Sequence, residues 1–428
     1  MNKHTALRAT VIAAALVAST AWATDGYFPH GYGIKAKGMG GVSIAMTDQA
    51  FAGANNPATA SFAGNRAEVG VELFMPKRGV SRSGAGGMDD NIDSDSKRFW
   101  VPEFGYTTPL NDKVAVGLSV YGNGGMNTNY AGARINCGYG SNTGNMLCGS
   151  TRLGIDMMQL IVAPTVSYKV DERHAIGVSP LLVYQQFRAE GLQMFEGQMA
   201  RTPGQTTNNG YDSSTGMGVR LGYVGRPTDA LTWGASWSPK TSMKKFDKYA
   251  QLFAGGGGFD IPENWGIGFA LKASPSVTIA ADYQRINYSK VASVGNPSSN
   301  AFTGAKLGDA NGPGFGWSDI NVFKLGVQWQ ASSQWILRAG YNKTDNPIQS
   351  RDVTFNIIAP GVITKHYTLG GTYALGKDRE LTFAYMYAPR NSLTGDSLLG
   401  MMAQPPAQFS ETIRMSQQSL GVQYGWKF

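Results

Sequence analysis

The sequence predicts an all-β fold, a transmembrane antiparallel β-barrel of about 14 strands with an N-terminal hatch, or plug, in its lumen. Apolar residues alternate with small or polar ones, as at Leu420, Val422, Tyr424, Trp426 and Phe428, so every second side chain lies on the same face of a strand. Only 15% of the residues are charged, against about 25% in ordinary globular proteins. This composition suits a wall with one apolar and one polar face.

Short and long connections alternate along the chain. Short turns at 110–112, 171–173 and 227–229 are separated from one another by the long polar segments 127–152 and 190–211. A β-sandwich also alternates apolar and polar residues, but its connections are usually short at both ends. Short turns at one rim and long loops at the other indicate a barrel, and an even number of strands places both ends of the barrel at the same rim.

The N-terminus has the features of an export signal. Lys3 and Arg8 supply positive charge, residues 9–19 form a short apolar core, and residues 21–23 read Ala-Trp-Ala, a small-residue cleavage site. A transmembrane anchor is the alternative, but the apolar core is shorter than the ~20 residues that a spanning helix needs. We therefore predict a cleaved signal peptide at 1–23.

The segment 24–65 differs from the rest of the chain. It is rich in Gly and small residues and has no sustained alternation. It could be a disordered tail or a plug, and the lumen of a barrel between the filled 8-stranded and the open 16-stranded sizes favours a plug. We therefore predict a hatch at 24–65 and a transmembrane barrel at 66–428.

Two cysteines, Cys137 and Cys148, lie 11 residues apart in a Gly- and Asn-rich segment. In an exported chain such a pair indicates a disulfide that closes an external loop. A metal-binding pair is the alternative, although no His lies nearby.

The sequence offers little for catalysis, and we predict neither an enzyme nor a cofactor. It has four His, and the motifs G-x-S-x-G, H-E-x-x-H and Cys-x-x-Cys are absent. The net charge of +8 comes without a dense Lys/Arg block, so no nucleic-acid partner is expected. A barrel of this kind could still be an outer-membrane hydrolase, or a general diffusion porin or surface scaffold, and these functions are kept as alternatives to the one inferred below.

An acidic stretch, 89–95, carries Asp at several alternate positions. It superficially suggests Ca²⁺, but the Gly and terminal Glu of an EF-hand are missing, so no metal site is predicted. We expect a solvated acidic loop that bridges to lipopolysaccharide through divalent ions.

Two stretches and the terminal Phe428 carry a resemblance to a known family. Gly38–Ala58 reads GMGGVSIAMTDQAFAGANNPA, and Gly316–Ile348 reads GWSDINVFKLGVQWQASSQWILRAGYNKTDNPI. The first resembles the hatch of the FadL family, with its Asn-Pro-Ala signature, and the second resembles that family's paired late strands. Phe428 resembles the terminal signal that the barrel-assembly machinery reads.

The resemblance implies an outer-membrane transporter of long-chain fatty acids, aromatic hydrocarbons or related molecules. It implies a monomer whose lumen is closed by the hatch. Substrate would be captured at the outer loops, cross by passive diffusion and leave sideways into the bilayer, where the third strand is kinked. Hydrophobic substrate, outer-membrane lipid and lipopolysaccharide are the expected partners.

Two groups of residues are candidates for control of the route. Asn56, Pro57 and Ala58 would hold the hatch against the wall, because Pro fixes φ and Asn can cap its own turn; an ordinary surface turn is the alternative. Glycines suit a kink in a strand because they permit bulges. The candidates for the kink are Gly122, Gly124 and Gly125, with a simple glycine-rich approach to the following loop as the alternative.

Candidate ligand contacts follow from strand phase and position. Apolar side chains on the hatch or on the inward phase of the first strands would line the route, although each could instead be a packing residue; they are Met39, Met46, Phe51, Phe62, Phe74 and Phe99. Inward basic residues would bind a carboxylate, or would be paired with Glu68, Glu72, Glu103 and Asp282 as lumen filling; they are Arg220, Lys272, Lys324 and Arg338.

Overall fold

The computed structural model describes residues 25–137, 143–403 and 406–428. The predicted signal peptide lies outside the described residues. None of the helices in these ranges is long and apolar enough to cross a membrane.

Fourteen antiparallel strands form one closed barrel. Each strand pairs with its neighbours in sequence, and the first pairs with the last from Arg66 opposite Lys427 to Ser83 opposite Ser410. The strands are β1 (Arg66–Ser83), β2 (Phe99–Pro109), β3 (Val114–Asn127), β4 (Gly154–Lys169), β5 (His174–Glu190), β6 (Asp212–Gly225), β7 (Leu231–Ser238), β8 (Asn264–Lys272), β9 (Val277–Ile286), β10 (Ile320–Gln330), β11 (Trp335–Thr344), β12 (Lys365–Ala374), β13 (Arg379–Asp396) and β14 (Ser410–Lys427).

Short elements decorate the hatch and the long loops. A strand at Asp90–Asp93 adds to the outer part of β1, and Ile135–Asn136 pairs with Thr143–Gly144. The α-helical turns are Ile34–Lys37, Ala60–Ala63, Gln193–Met199, Ala254–Gly257, Ala292–Gly295 and Leu398–Met402. The 3₁₀ turns are Pro57–Thr59, Gly86–Met88, Asp247–Tyr249, Tyr288–Lys290, Ser298–Thr303, Ser350–Asp352 and Phe355–Ile357.

The alternation in the sequence becomes the two faces of the wall. Leu369 and Met217 point outward with 62% and 72% of their surfaces exposed, which suits contact with lipid. Inward positions are buried, and they include small, polar and large apolar residues. Apolar wall residues such as Phe74, Met157 and Phe187 form a buried core with the hatch and the folded-in loops.

Two strands extend further than the sequence indicates. β1 continues to Ser83 and β13 to Asp396, into the polar segments 80–97 and 391–411 that the alternation of short and long connections predicts to be loops. These outer parts of the strands are rich in polar residues. Among them, Arg82 on β1 pairs with Glu411 on β14 at 2.6 Å, and both side chains are fully buried. The outer ends of the strands thus form a polar rim above the apolar band. Hydropathy alone cannot distinguish such polar strand ends from a loop.

The hatch, residues 25–65, lies inside the barrel and touches the wall at inward-facing glycines. A Cβ atom added at Gly340 would collide with the backbone of Gly40, and one at Gly177 would collide with Pro57 and Ala58. Glycine at these wall positions permits the hatch backbone to lie directly on the strands. The small residues on the inner face of the wall therefore form the seat of the hatch.

We expect Gly177→Leu to displace the hatch from the wall, because its side chain would occupy the space of Pro57. Overpacking of this kind typically costs about 1–3 kcal/mol. Limited proteolysis should cut the hatch faster, and the barrel should unfold at a lower temperature. Gly197→Leu is the control, since a Cβ atom there meets no atom within 4 Å. Equal protection of the hatch in both variants would contradict this account.

Candidate functional site

Buried ion pairs hold the hatch to the wall. Lys37 lies 2.7 Å from Glu72 and 3.0 Å from Glu103, and Lys35 lies 2.8 Å from Glu68. Burial disfavours the charged form of Lys37, but Glu103 and Glu72 outweigh burial and raise the pKa of its ammonium. Of the glutamates expected as partners of wall cations, Glu72 and Glu103 are bound by Lys37 of the hatch, and Glu68 is shared by Lys35 and the wall residue Arg66. The lysines were missed because the hatch has no periodic pattern from which to predict their orientation.

The turn formed by Asn56, Pro57 and Ala58 is buried against β4, β5 and β6. Asn56 Nδ2 donates to the carbonyl oxygen of Tyr223 at 2.9 Å, and its Oδ1 accepts from the Ala58 N–H at 3.1 Å. Ser167 Oγ on β4 donates to the Ala58 carbonyl oxygen at 3.1 Å. The turn is thus bonded both to itself and to two wall strands.

The wall has an irregularity in β3 and a gap beside it. The ladder with β4 shifts register between Gly122 and Gly124, so that Asn123 is an extra residue, as in a β-bulge. Pairing between β2 and β3 ends at Phe104 opposite Val120, and β3 beyond that point pairs with β4 only. The outer halves of β2 and β3 therefore separate.

The N-terminal part of the hatch lies against the inner side of this gap. The N–H of Gly125 donates to the carbonyl oxygen of Tyr27 at 3.3 Å. Asn123 accepts from the Tyr32 hydroxyl and donates to Gln159, both at 2.9 Å. These bonds tie the bulge both to the hatch and to β4.

An aromatic cluster surrounds Tyr27. Its ring centroid lies between 5.2 and 6.1 Å from those of Phe28, Phe259, Tyr288 and Trp317, within the range of favourable ring contacts. All five side chains are buried. The hatch thus contributes two rings to an apolar centre beside the gap.

Above this centre, the external loops enclose an apolar crevice. Ser293 is the polar member of its lining, and no ionisable side chain is among the described residues that line it. Its volume is about 40 Å³, room for only a few water molecules at roughly 10–15 Å³ each, so a ligand must move side chains to enter. Its aromatic lining consists of Phe187, Phe195, Phe253, Phe315 and Phe355.

Arg78 on β1 is a buried cation with no ion pair among the described residues. Its guanidinium lies 5.4 Å from the centroid of Phe99 and donates to the Ser96 carbonyl oxygen, while its Nε has no partner. Arg78 borders a small cavity together with Met126 and Trp317. The guanidinium therefore lies between the aromatic cluster and the gap.

Residues 14–428 match the family described as outer membrane protein transport protein (OMPP1/FadL/TodX). The chain belongs to this family. It is 23% identical over 434 residues to the long-chain fatty acid transport protein of Escherichia coli K12, covering 89% of this chain and 91% of that protein. This FadL-family chain is therefore a transport protein of the outer membrane and not an enzyme.

Solved structures share the fold of this FadL-family barrel. The Pseudomonas putida toluene transporter TodX has a TM-score of 0.67 and 20% identity, with 93% of this chain and 99% of that chain covered. A Pseudomonas aeruginosa FadL homologue has a TM-score of 0.68 and 15% identity, with 94% and 100% covered.

Several predicted lining residues of this FadL-family chain pack without bordering the route. Met39 and Met46 lie in a small cluster with Ala270 and Ala280 of the wall. Phe62 lies under the guanidinium of Arg226, 3.9 Å from its ring centroid, beyond the inner end of β6. Residues 39–46 turn toward the wall and Phe62 lies near the turn rim. The role of these three side chains as lining residues stays a prediction.

The other three aromatic candidates lie closer to the route. Phe51 is buried within the hatch beside Gly33. Phe74 and Phe99 are opposed across β1 and β2, and Phe99 borders a cavity of about 550 Å³ at the outer end of the gap.

None of the four predicted carboxylate-binding residues is a free lumen cation. Arg220 donates to the Gly53 carbonyl oxygen of the hatch at 3.0 Å. Lys324 and Arg338 donate to glutamine side chains of neighbouring strands at 3.2 and 2.8 Å. Lys272 has the inward phase, but it is exposed at the rim where β8 ends. Arg78 has the same phase as Phe74, and we missed it because we expected β1 to end near it.

Two external features complete the description. Cys137 and Cys148 form a disulfide in the loop between β3 and β4. In the acidic stretch, three aspartates form ion pairs within the protein, so arginines compete for these carboxylates with divalent ions; the bridge to lipopolysaccharide stays a prediction. The pairs are Asp90 with Arg134, Asp93 with Arg414, and Asp95 with Arg152.

We expect Lys37→Met to destabilise the protein, since it leaves Glu72 and Glu103 buried without their cation. Breaking a buried pair in this way typically costs about 3–5 kcal/mol. The measurement is unfolding in detergent with increasing urea, and additional Glu72→Gln and Glu103→Gln replacements should recover part of the loss. Lys77→Met, at an exposed position of β1, is the control. A Lys37→Met protein as stable as the control would exclude these pairs as the attachment of the hatch.

Proposed function

We propose that the protein takes up long-chain fatty acids or similar hydrophobic carboxylates by hatch-gated passive diffusion, with exit into the bilayer. The observation that carries this proposal is Arg78. A buried charge is costly unless it is paired, and this guanidinium has no carboxylate partner among the described residues. A substrate carboxylate would supply that partner through charge-assisted hydrogen bonds.

The proposed route follows the apolar surfaces. Substrate enters the crevice between the external loops, moves to the aromatic cluster and leaves between the outer halves of β2 and β3. Burial of apolar surface is favourable by about 25 cal/mol per Å², so an alkyl chain is attracted to each stage. The ion pairs of Lys35 and Lys37 support this sideways exit, because a locked hatch blocks passage along the barrel axis.

Gating would need only the first residues of the hatch to move. Tyr27 is attached to β3 by one backbone hydrogen bond of 3.3 Å to Gly125, whereas the turn at Asn56, Pro57 and Ala58 is bonded to two wall strands. We propose that this turn stays fixed while Tyr27 leaves the gap. Gly177→Leu, which dislodges the turn, should then also impair uptake.

The principal test is uptake by cells that express this barrel as their only such transporter. Labelled oleate uptake should fall by about tenfold in Arg78→Leu, the typical effect of losing one hydrogen bond to a charged group. Labelled toluene uptake should not fall. Arg379→Leu, at an exposed position, is the matched control. Oleate uptake that is independent of Arg78, in a correctly inserted barrel, would contradict carboxylate binding.

Aromatic hydrocarbons are the second candidate substrates. The lining of the crevice by phenylalanine rings without ionisable groups favours them. The same experiment separates the two candidates, because uptake of toluene but not oleate by the parent protein would select the hydrocarbon.

Removal of Asn123 should close the lateral exit. The deletion removes the extra residue of the bulge, so β3 and β4 can pair without a register shift and β3 can straighten toward β2. We expect uptake of both oleate and toluene to fall at least about tenfold, as for loss of a required contact. Asn123→Ala keeps the extra residue and is the control. Heat-resistant gel mobility checks folding, and undiminished uptake by the folded deletion variant would exclude the gap as the exit.

We also propose partners for the assembly of the barrel and for its contact with the surrounding membrane. The barrel-assembly machinery would recognise β14 with its terminal Phe428. Lipid and lipopolysaccharide would contact the outer face, and the barrel would act as a monomer. The 14 strands close on themselves through β1 and β14, which supports a self-sufficient unit.

A further inference from the structure

Three exposed cations lie on the extracellular side of three neighbouring strands, at the ends of β11 and β12 and within β13. Lys343 on β11 is directly opposite Lys365 on β12, and both are exposed. Arg390 lies in the irregularity of β13 between Ala388 and Asn391 and is also exposed. None of the three forms an ion pair or side-chain hydrogen bond with a described residue.

Two lysines in this arrangement repel each other. Residues directly opposite in an antiparallel pair have Cβ atoms about 4.5–5.5 Å apart, and like charges there are destabilising. Elsewhere the protein neutralises its external arginines, as with Arg134 and Asp90 at 2.7 Å. An anion from outside the chain would convert the repulsion at Lys343 and Lys365 into attraction.

The position of these cations fits the outer boundary of the bilayer. Lys343 is eight residues beyond Trp335, the first residue of β11. With a rise of ~3.3 Å per residue and a tilt of ~40°, Lys343 lies ~20 Å above the strand start, near the top of an apolar band ~25 Å tall.

An aromatic and apolar surface lies directly below. Tyr341 and Tyr367 contact each other across β11 and β12 with ring centroids 5.3 Å apart, and Tyr387 lies opposite Tyr367 on β13. Below them Leu369 is 62% exposed and faces Tyr385. Tyrosine rings of this kind mark the membrane interface. The face therefore combines a positive upper edge with an apolar surface that suits acyl chains.

We propose that this face binds a phosphorylated glycolipid of the outer leaflet, with its phosphates between Lys343, Lys365 and Arg390 and its acyl chains against Leu369 and the tyrosines. The glycolipid supplies both elements that the face lacks, an anion at the boundary and apolar chains below it. In the acidic stretch 89–95, by contrast, three of the four aspartates are already paired with arginines.

The test uses the purified, folded barrel in uncharged detergent, with diphosphorylated lipid A and the same lipid without phosphates as probes. Native mass spectrometry should show at least about tenfold tighter binding of the phosphorylated lipid, the usual effect of a charged contact. Lys343→Gln/Lys365→Gln/Arg390→Gln should remove that preference. The matched control, Lys113→Gln/Lys272→Gln/Lys377→Gln, removes three exposed cations at the opposite rim and should retain it.

The unfolding temperature supplies a second readout, because the same substitution should change it in opposite directions without and with the lipid. Lys343→Gln alone should raise the unfolding temperature without lipid, because it relieves the repulsion. It should reduce the stabilisation that phosphorylated lipid A gives the parent protein, because bound ligand stabilises by its affinity. Equal binding of both lipids, an unchanged preference in the triple variant, or full competition by millimolar inorganic phosphate would overturn the proposal.

Discussion

The ion pairs of Lys35 and Lys37 with wall glutamates are the interactions on which the remaining architecture depends. They join the hatch, whose regular structure is limited to short helical turns, to a barrel that would otherwise enclose an open lumen. Around them, glycines such as Gly340 and Gly177 permit the hatch backbone to lie on the strands. Charge and close contact reinforce each other, because exclusion of water strengthens the ion pairs and the pairs hold the backbone in its seat.

A fixed hatch gives the irregularity of β3 its importance. Because the hatch fills the axial route, the sideways exit that we propose uses the separation of β2 and β3 beyond Val120. The hatch closes this place with Tyr27, whose backbone bonds Gly125 and whose ring joins the aromatic cluster. Closure therefore uses weak, local contacts, whereas attachment uses buried charges.

The distribution of cations separates three roles. Arg220 and Arg338 are engaged by oxygens of the hatch and wall and belong to the framework of the lumen. Arg78 is buried without an anion beside the aromatic cluster, which suits a ligand. Lys343 and Lys365 face outward without an anion, which suits the surrounding membrane.

The sequence by itself determined the barrel, because alternation, turn spacing and low charge are local properties of each strand. It also placed the hatch segment and the glycines of β3. Only the tertiary structure decided which lumen charges are free. Strand phase gives Lys324 and Arg78 the same inward direction, but a glutamine on the next strand binds the first and no carboxylate reaches the second. Likewise, Met39 and Met46 turn toward the wall because glycines there leave room for the hatch, a fit between segments that lie far apart in sequence.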